Sequence, residues 1–302
     1  MRIKFTLIQK ILLKYTNGGS NMKRFILKSL SLISLVIISL SLISATPFKS
    51  LCNTKNETLI IRDSDSRTGL PDRYRDIPTL NISGSAEFTK EQVVNLKNAI
   101  NKPNICIIDL RQESHGMVND YAISFFNRYK DLNNGFTTEE TIKTENSLLN
   151  KIKIGEPLKI YRKTGILYKE LTVDFVSNES SLVTDAGMQY KRYAVKDNGA
   201  PTPIIVDEFV EFIKTKPSDL HLHFHCDAGE GRTTSFMVMY QTMMNPTGLS
   251  LDQILSYQYN IGGVNVHDDR DQFEFLEDFY AYVSQNKKDN YSIPYSEWVT
   301  KD

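Results

Sequence analysis

Apolar positions change their period several times along this chain. Residues 59–62 and 79–82 read as short strands separated by the polar loop DSDSRTGLPDRYRDIP. Thr89-Lys-Glu-Gln92 has the pattern of a capping box, and VVNLKNAI behind it has helical spacing. The run 105–110 is short and apolar and ends in charge, as a buried parallel strand does. Residues 117–150 mix both periods and read as partly helical. Strands at 158–163 and 166–176 flank Thr164-Gly165 as a hairpin, and 190–195 is a further strand. Pro201-Thr202-Pro203 opens an amphipathic helix, IIVDEFVEFIK, where proline is tolerated in the first turn. A strand at 220–225, a largely apolar helix at 233–244 and helices at 251–259 and 272–285 complete the pattern. Strand–helix alternation in the second half predicts an α/β layer fold, and the hairpin region near 150–180 predicts a small all-β insertion.

The first 45 residues stand apart. Residues 22–45, MKRFILKSLSLISLVIISLSLISA, have a basic start, an apolar run and a small residue at the end, the layout of a secretory signal with cleavage after Ala45. Translation is read as starting at Met22, with 1–21 an upstream extension, and 46–58 as a flexible lead-in. The expected location is secreted or extracytoplasmic, with a membrane anchor only if the signal is uncleaved.

Composition is that of a globular protein, 40% hydrophobic and 24% charged. Seven basic and no acidic residues lie in 1–45, so the rest carries 29 Lys and Arg against 36 Asp and Glu, a net of −7. Such a surface argues against a nucleic-acid partner, and an anionic substrate must be drawn in by a local basic pocket. Cys52, Cys106 and Cys226 are too few and too scattered for a disulfide scaffold or a zinc knuckle. Cys106 sits in an apolar run and reads as a buried structural thiol.

Cys226 is different. It opens HCDAGEGRT, between an apolar strand and an apolar helix. A helix start presents backbone N–H groups without helical partners and the positive end of the macrodipole. Gly229 and Gly231 let the chain through Asp227, Ala228 and Glu230 curl so that those groups aim at one point, an anion nest. Arg232 closes the loop with a planar fork suited to two phosphate oxygens. The same donors stabilise a thiolate, so the parts converge on attack of Cys226 on a bound phosphoryl group. His221, His223 and His225 alternate on one strand face and offer a rival zinc reading. His225, beside the cysteine, is read instead as holding the loop's shape, and no metal or other cofactor is expected. The leaving oxygen needs a proton donor, and Asp197 in the KDNGAPTP loop is the candidate.

HCDAGEGRT matches the signature of protein tyrosine phosphatases. Together with ISGSAEFT (82–89), DLRQESHG (109–116), the Asp197-to-Pro203 segment, LHFHCDAGEGRTTSFMVM (222–239) and IGG (261–263), it resembles the tyrosine-phosphatase-like inositol polyphosphate phosphatases, the bacterial cysteine phytases. The likeness spans roughly 59–300. It implies an α/β cysteine-phosphatase core, with a central mixed or parallel sheet flanked by helices. A small β-barrel-like domain from about 59–80 and 140–185 completes the phosphatase domain 59–302. It implies that Cys226 is the nucleophile and Asp197 the general acid, that Arg232 and the loop amides hold phosphate, and that Thr233 hydrogen-bonds the sulfur. It also places Arg75 among the substrate contacts and sets DLRQESHG, with Arg111 and His115, at the flank of the pocket. The sequence departs from the family at Asn198, where the phytases carry histidine, at Glu230, where they are apolar, and after IGG, where VNVHDDRDQ is short and acidic. These departures should weaken binding of a highly phosphorylated ring. The implied substrate is an inositol phosphate; a phosphotyrosine peptide is the alternative, and a catalytically dead phosphate-binding module a third reading.

Overall fold

The computed structural model describes residues 58–63, 67–127, 132–245 and 247–300. The upstream extension, the apolar segment and Cys52 lie outside the described residues. In chain order the strands are β1 (Leu59–Arg62), β2 (Arg75–Ile77), β3 (Ile82–Ser85), β4 (Ile105–Arg111), β5 (His115–Val118), β6 (Tyr121–Phe126), β7 (Pro157–Tyr161), β8 (Leu167–Thr172), β9 (Val176–Ser177), β10 (Gln189–Val195) and β11 (His221–His225). The helices are α1 (Lys90–Ile100), α2 (Thr138–Leu149), α3 (Glu179–Asp185), α4 (Pro203–Thr215), α5 (Gly231–Met244), α6 (Leu251–Asn260), α7 (Arg270–Asn286) and α8 (Tyr295–Trp298). None of the described helices is long and apolar enough to cross a membrane.

The central sheet has the order β10–β4–β11–β3–β2. Its first four strands are parallel, and β2 runs antiparallel to β3 at the edge. Strand period decides which side chain goes where. Leu222 and Phe224 of β11, with Cys106, Ile108 and Leu110 of β4, face a core filled from α4, α5 and α7. Ile105 and Ile107 face the other way, onto Phe88, Val93 and Leu96. Twelve of the fourteen residues of α5 are buried, which is why no solvent-facing polar stripe runs along its sequence. The capping box at Thr89 and Gln92 forms as expected and fixes the start of α1.

The expected strand at 79–82 is instead a 3-10 turn, Pro78–Leu80, followed by Asn81 in the left-handed region with φ 59°. Pro78 has no N–H to give a ladder, and asparagine tolerates that backbone, so pairing starts only at Ile82. The mixed segment 117–150 contains β5, β6 and α2. Every residue of β5 and β6 is buried, so their sequence shows no alternation to read.

A second sheet has the order β8–β7–β1–β6–β5–β9. The boundaries expected for the small β region therefore shift: β2 joins the central sheet, and 115–126 joins this one. Its edges, β8 and β9, do not pair with each other among the described residues, so it is an open sheet and no closed barrel is seen. The chain passes from β4 into β5 through only Gln112, Glu113 and Ser114. Glu113 therefore stands where the two sheets meet, at the C-terminal ends of β4, β10 and β11, the end where parallel sheets hold ligands.

Candidate active site

The loop 226–230 leaves β11 and enters α5. Cys226 is 3% exposed, and the Thr233 hydroxyl donates to its Sγ at 3.2 Å. Gly229 has φ +69°, and a Cβ there would lie 2.4 Å from the Ala86 nitrogen, so only glycine permits this contact with the segment after β3. From behind, Arg75 donates to the Gly229 carbonyl at 2.9 Å and to Thr234 Oγ1 at 3.2 Å. Burial takes Arg75 down to about 10 despite the nearby Cys226. Arg75 is thus a brace for the loop, 4% exposed, and not the substrate contact expected from sequence.

Arg232 is gripped rather than free. Its Nη1 and Nη2 donate to the two oxygens of Glu113 at 2.7 and 2.9 Å, a bidentate pair. Nη1 also reaches the Val195 carbonyl at 3.1 Å, and Nη2 reaches Asp197 Oδ1 at 3.0 Å. Burial works against the guanidinium charge, but Glu113 and then Cys226 outweigh it and raise its pKa. Burial likewise opposes ionisation of Glu113, yet Arg232 and Arg111 hold that carboxyl far below its ordinary value. Glu113 was not predicted as a site residue. Asp197, half-exposed at the mouth, lines the same pocket as Cys226, with Oδ1 3.0 Å from Arg232 Nη2.

Beneath the loop is a buried charge network. Arg111 is fully buried and pairs with Glu87 at 2.7 Å, Asp63 at 3.0 Å and Glu113 at 3.0 Å, and it also donates to the Ser124 hydroxyl. His115 is fully buried against Glu179 and Asp109, at 3.0 and 3.3 Å. Neither reaches the pocket, so the substrate roles implied for them are corrected to support of the framework. Parity along β4 puts Arg111 on the same face as Asp109, and His115 meets Glu145 of α2 in the same interior, where Arg192 pairs with both carboxylates.

His225 forms an ion pair with Glu179 at 2.8 Å. Burial lowers its proton affinity, but Glu179 and Glu87 reverse this and raise the imidazole to about 9. The other two histidines of β11 have hydroxyl partners. His223 lies between Ser83 and Ser85, at 2.8 and 3.0 Å, and His221 lies 2.8 Å from Ser83. The three rings do not converge on one point. Glu87, Glu179 and His225 do gather closely, but the last two are paired to each other.

A folded state that binds a proton more tightly than the unfolded chain loses stability as pH rises. The contribution of His225 is therefore complete below pH 6.5 and disappears as pH passes about 9. Melting temperature is expected to fall between those values, by the equivalent of roughly 3 kcal/mol. His225→Gln should flatten that slope, as thermal unfolding across the range would show. An unchanged slope would place the titration elsewhere.

At the rim, Cys226, Asp227, Ala228, Glu230, Gly231 and Arg232 line a pocket of about 190 Å³ with Asp197, Asn198, Phe126, Lys163 and Gln272. Lys163, from the β7–β8 turn, pairs with Asp227 at 2.6 Å. Partial burial disfavours its charge, but Asp227 and Asp63 raise it. Glu230 points outward to Arg73, at 2.7 Å, so its charge is neutralised there rather than aimed at Cys226. Gln272, at the start of α7, packs against Gly231 and accepts from Ser235 at 3.1 Å. A wider cleft of about 520 Å³ adjoins the pocket and shares Asn198, Glu230, Gly231 and Gln272 with it. Cys106 lies opposite Leu222, four residues short of Cys226. At strand spacing that is roughly 13 Å, too far for a disulfide.

The fold and the loop define a protein-tyrosine-phosphatase-like α/β domain. Residues 108–244 match the model of the PTP-like phytase family, described by inositol hexakisphosphate. The match covers less than half of this chain, and the chain shares the fold of that family's solved structures. Among solved structures it is similar to the PTP-like myo-inositol phosphatase of Mitsuokella multacida in complex with myo-inositol-(1,3,4,5)-tetrakisphosphate. That likeness has 31% identity and a TM-score of 0.75, and covers 82% of this chain and 50% of that one. It is also similar to a PTP-like phytase of Bdellovibrio bacteriovorus, at 26% identity and a TM-score of 0.71, over 82% of this chain and 96% of that one. Among curated proteins, the effector protein hopD2 of Pseudomonas syringae pv. tomato is 27% identical over 243 residues, 74% of this chain and 52% of that protein. The chain spans about half the length of the Mitsuokella protein and of hopD2.

Proposed function

We propose that the protein is a phosphoric monoester hydrolase that removes phosphate from inositol phosphates through a phosphocysteine intermediate. The observation that carries this reading is one small pocket holding Cys226 with a hydroxyl on its sulfur, Arg232 fixed end-on by Glu113, and Asp197 at the mouth. Cys226 Sγ forms the bond to phosphorus as the phosphorus–oxygen bond breaks, and Asp197 gives its proton to the departing oxygen. Water then attacks the phosphocysteine, Asp197 takes the water's proton, and phosphate leaves with the thiolate restored. Loop amides and Arg232 stabilise the charge on the equatorial oxygens throughout. The resident oxygen of Asp197 on Arg232 must be displaced when a phosphate takes that donor, which frees the carboxyl to face the leaving group.

The pocket's two cations, Lys163 and Arg232, are paired with Asp227 and with Glu113 and Asp197, and the adjoining cleft carries Glu230, Asp268 and Asp269 against Arg73. That acidic lining favours an inositol ring with fewer phosphates than the hexakisphosphate. Because the same cleft also presents Tyr259, Val264 and Val266, a phosphotyrosine peptide is the second reading. Export directed by residues 22–45 belongs to the same proposal. The deciding experiment is kcat/KM on inositol hexakisphosphate, a lower inositol phosphate and a phosphotyrosine peptide, with a chelator arm. A tenfold or larger preference for an inositol phosphate is expected. A preference for the peptide would replace the substrate assignment, and inhibition by chelator would replace the mechanism.

Glu113→Gln tests the grip on Arg232. Losing one charged, bidentate partner should lower kcat/KM about 10- to 100-fold. Steady-state kinetics on a soluble phosphate ester would show it; a change under about twofold would mean that Val195 and Asp197 hold the guanidinium unaided.

A further inference from the structure

The β7–β8 turn that supplies Lys163 carries a second feature. Residues 162–167 read RKTGIL, and its two large aliphatic side chains, Ile166 and Leu167, are 49% and 46% exposed. Cations gather beside them. Arg62 and Arg162 lie over the Tyr168 ring at 4.1 and 5.2 Å, and Arg67 and Lys169 approach the Tyr121 ring at 4.8 and 5.7 Å. The two phenol rings meet edge to face at 6.0 Å, so aromatic faces are what allow four like charges to share one patch. Strands β7 and β8 contain a single carboxylate, Glu170, and register sets it opposite Lys159. Desolvation pushes the Tyr168 phenol up, but Arg62, Tyr121 and Arg67 together take it below its ordinary value, a local sign of positive potential.

This patch contrasts with a chain that is net negative beyond residue 45. A stable protein partner covers on the order of 800 Å² per side, more than a hairpin tip offers. A lipid surface has no such requirement: it needs cations for the headgroups and a few aliphatic side chains for the acyl boundary. We infer that the 162–167 hairpin, with Arg62, Arg67 and Lys169, docks the protein on an anionic lipid surface. Because Lys163 of the same turn lines the Cys226 pocket, docking sets the pocket mouth beside the headgroup layer. That last consequence rests on the proposed function; the docking itself does not.

The test is co-sedimentation of the full chain with phosphatidylcholine vesicles, with and without phosphatidylserine. Neutral vesicles measure whatever the apolar 22–45 segment contributes. Wild type should partition roughly tenfold more strongly into the anionic vesicles, and Arg162→Glu with Lys169→Glu should remove that preference. Ile166→Ser with Leu167→Ser should weaken anionic binding several-fold. Both double variants should hydrolyse soluble p-nitrophenyl phosphate within about twofold of wild type, which shows that they fold. Equal partitioning of wild type into both vesicles, or charge variants that bind as wild type does, overturns the inference. Capture by an immobilised acidic peptide without capture by vesicles would make the patch a protein-docking surface and overturn it as well. Wild type that binds vesicles but hydrolyses nothing would sink the phosphatase reading and leave the docking intact.

Discussion

Cys226→Ser is expected to lower turnover on the order of 10⁴-fold or more while the protein still binds phosphate. The pocket would be nearly unchanged in shape, since one atom at a site 3% exposed is replaced by a slightly smaller one. The chemistry would not survive. A serine hydroxyl is a far weaker nucleophile toward phosphorus than a cysteine sulfur, and Thr233, which donates to the sulfur at 3.2 Å, cannot supply a base. Arg232 and the loop amides do not depend on the sulfur for their positions, because Glu113 and Arg75 hold them. Kinetics on a soluble phosphate ester, paired with calorimetric titration of phosphate, separates the two effects. Residual turnover above about one per cent would reassign the nucleophile.

Asp197→Asn should be the second largest loss, about 10²- to 10⁴-fold on an alkyl phosphate such as an inositol phosphate. The amide keeps the size of the side chain and an oxygen for Arg232 Nη2, now 3.0 Å from the carboxylate, but it has no proton to give. An inositol alkoxide is a poor leaving group and needs that proton; a nitrophenolate does not. The variant should therefore be far less impaired on p-nitrophenyl phosphate. Equal losses on the two substrates would move the acid to another residue. A small loss on both would mean that phosphoenzyme hydrolysis does not require this base.

The loop was legible because its logic is local. Cysteine, two glycines and arginine fall within seven consecutive positions between a strand and a helix, and the structure brings Cys226, Arg232, Thr233 and Asp197 to one pocket. The central sheet was legible in part for the same reason, since β4 is a short, mostly apolar run, while β10 and β11 carry their apolar residues among polar ones. Glu113 was legible only as part of DLRQESHG, the segment set at the flank of the pocket; its grip on Arg232 was not, because that partner is 119 residues away. Lys163 meets Asp227 across 64 residues and two different sheets. Arginines misled in the opposite direction. Arg75 and Arg111 look like anion binders in sequence, but only the fold shows that both are turned inward, one onto a backbone carbonyl and the other onto three carboxylates.

The distance between Cys106 and Cys226 has a consequence for damage. Peroxide would convert Cys226 to sulfenic acid, and that species is rescued most simply by a neighbouring thiol that closes a disulfide. Cys106 sits four residues away along the adjacent strand, and burial pushes its thiol up to about 12, so it is neither within reach nor ionised. No other described residue carries a thiol. Among the described residues no thiol can close that disulfide, so recovery falls to a backbone sulfenamide or to a small-molecule reductant able to enter a pocket of about 190 Å³, and without either the oxidation would proceed to the irreversible sulfinic acid.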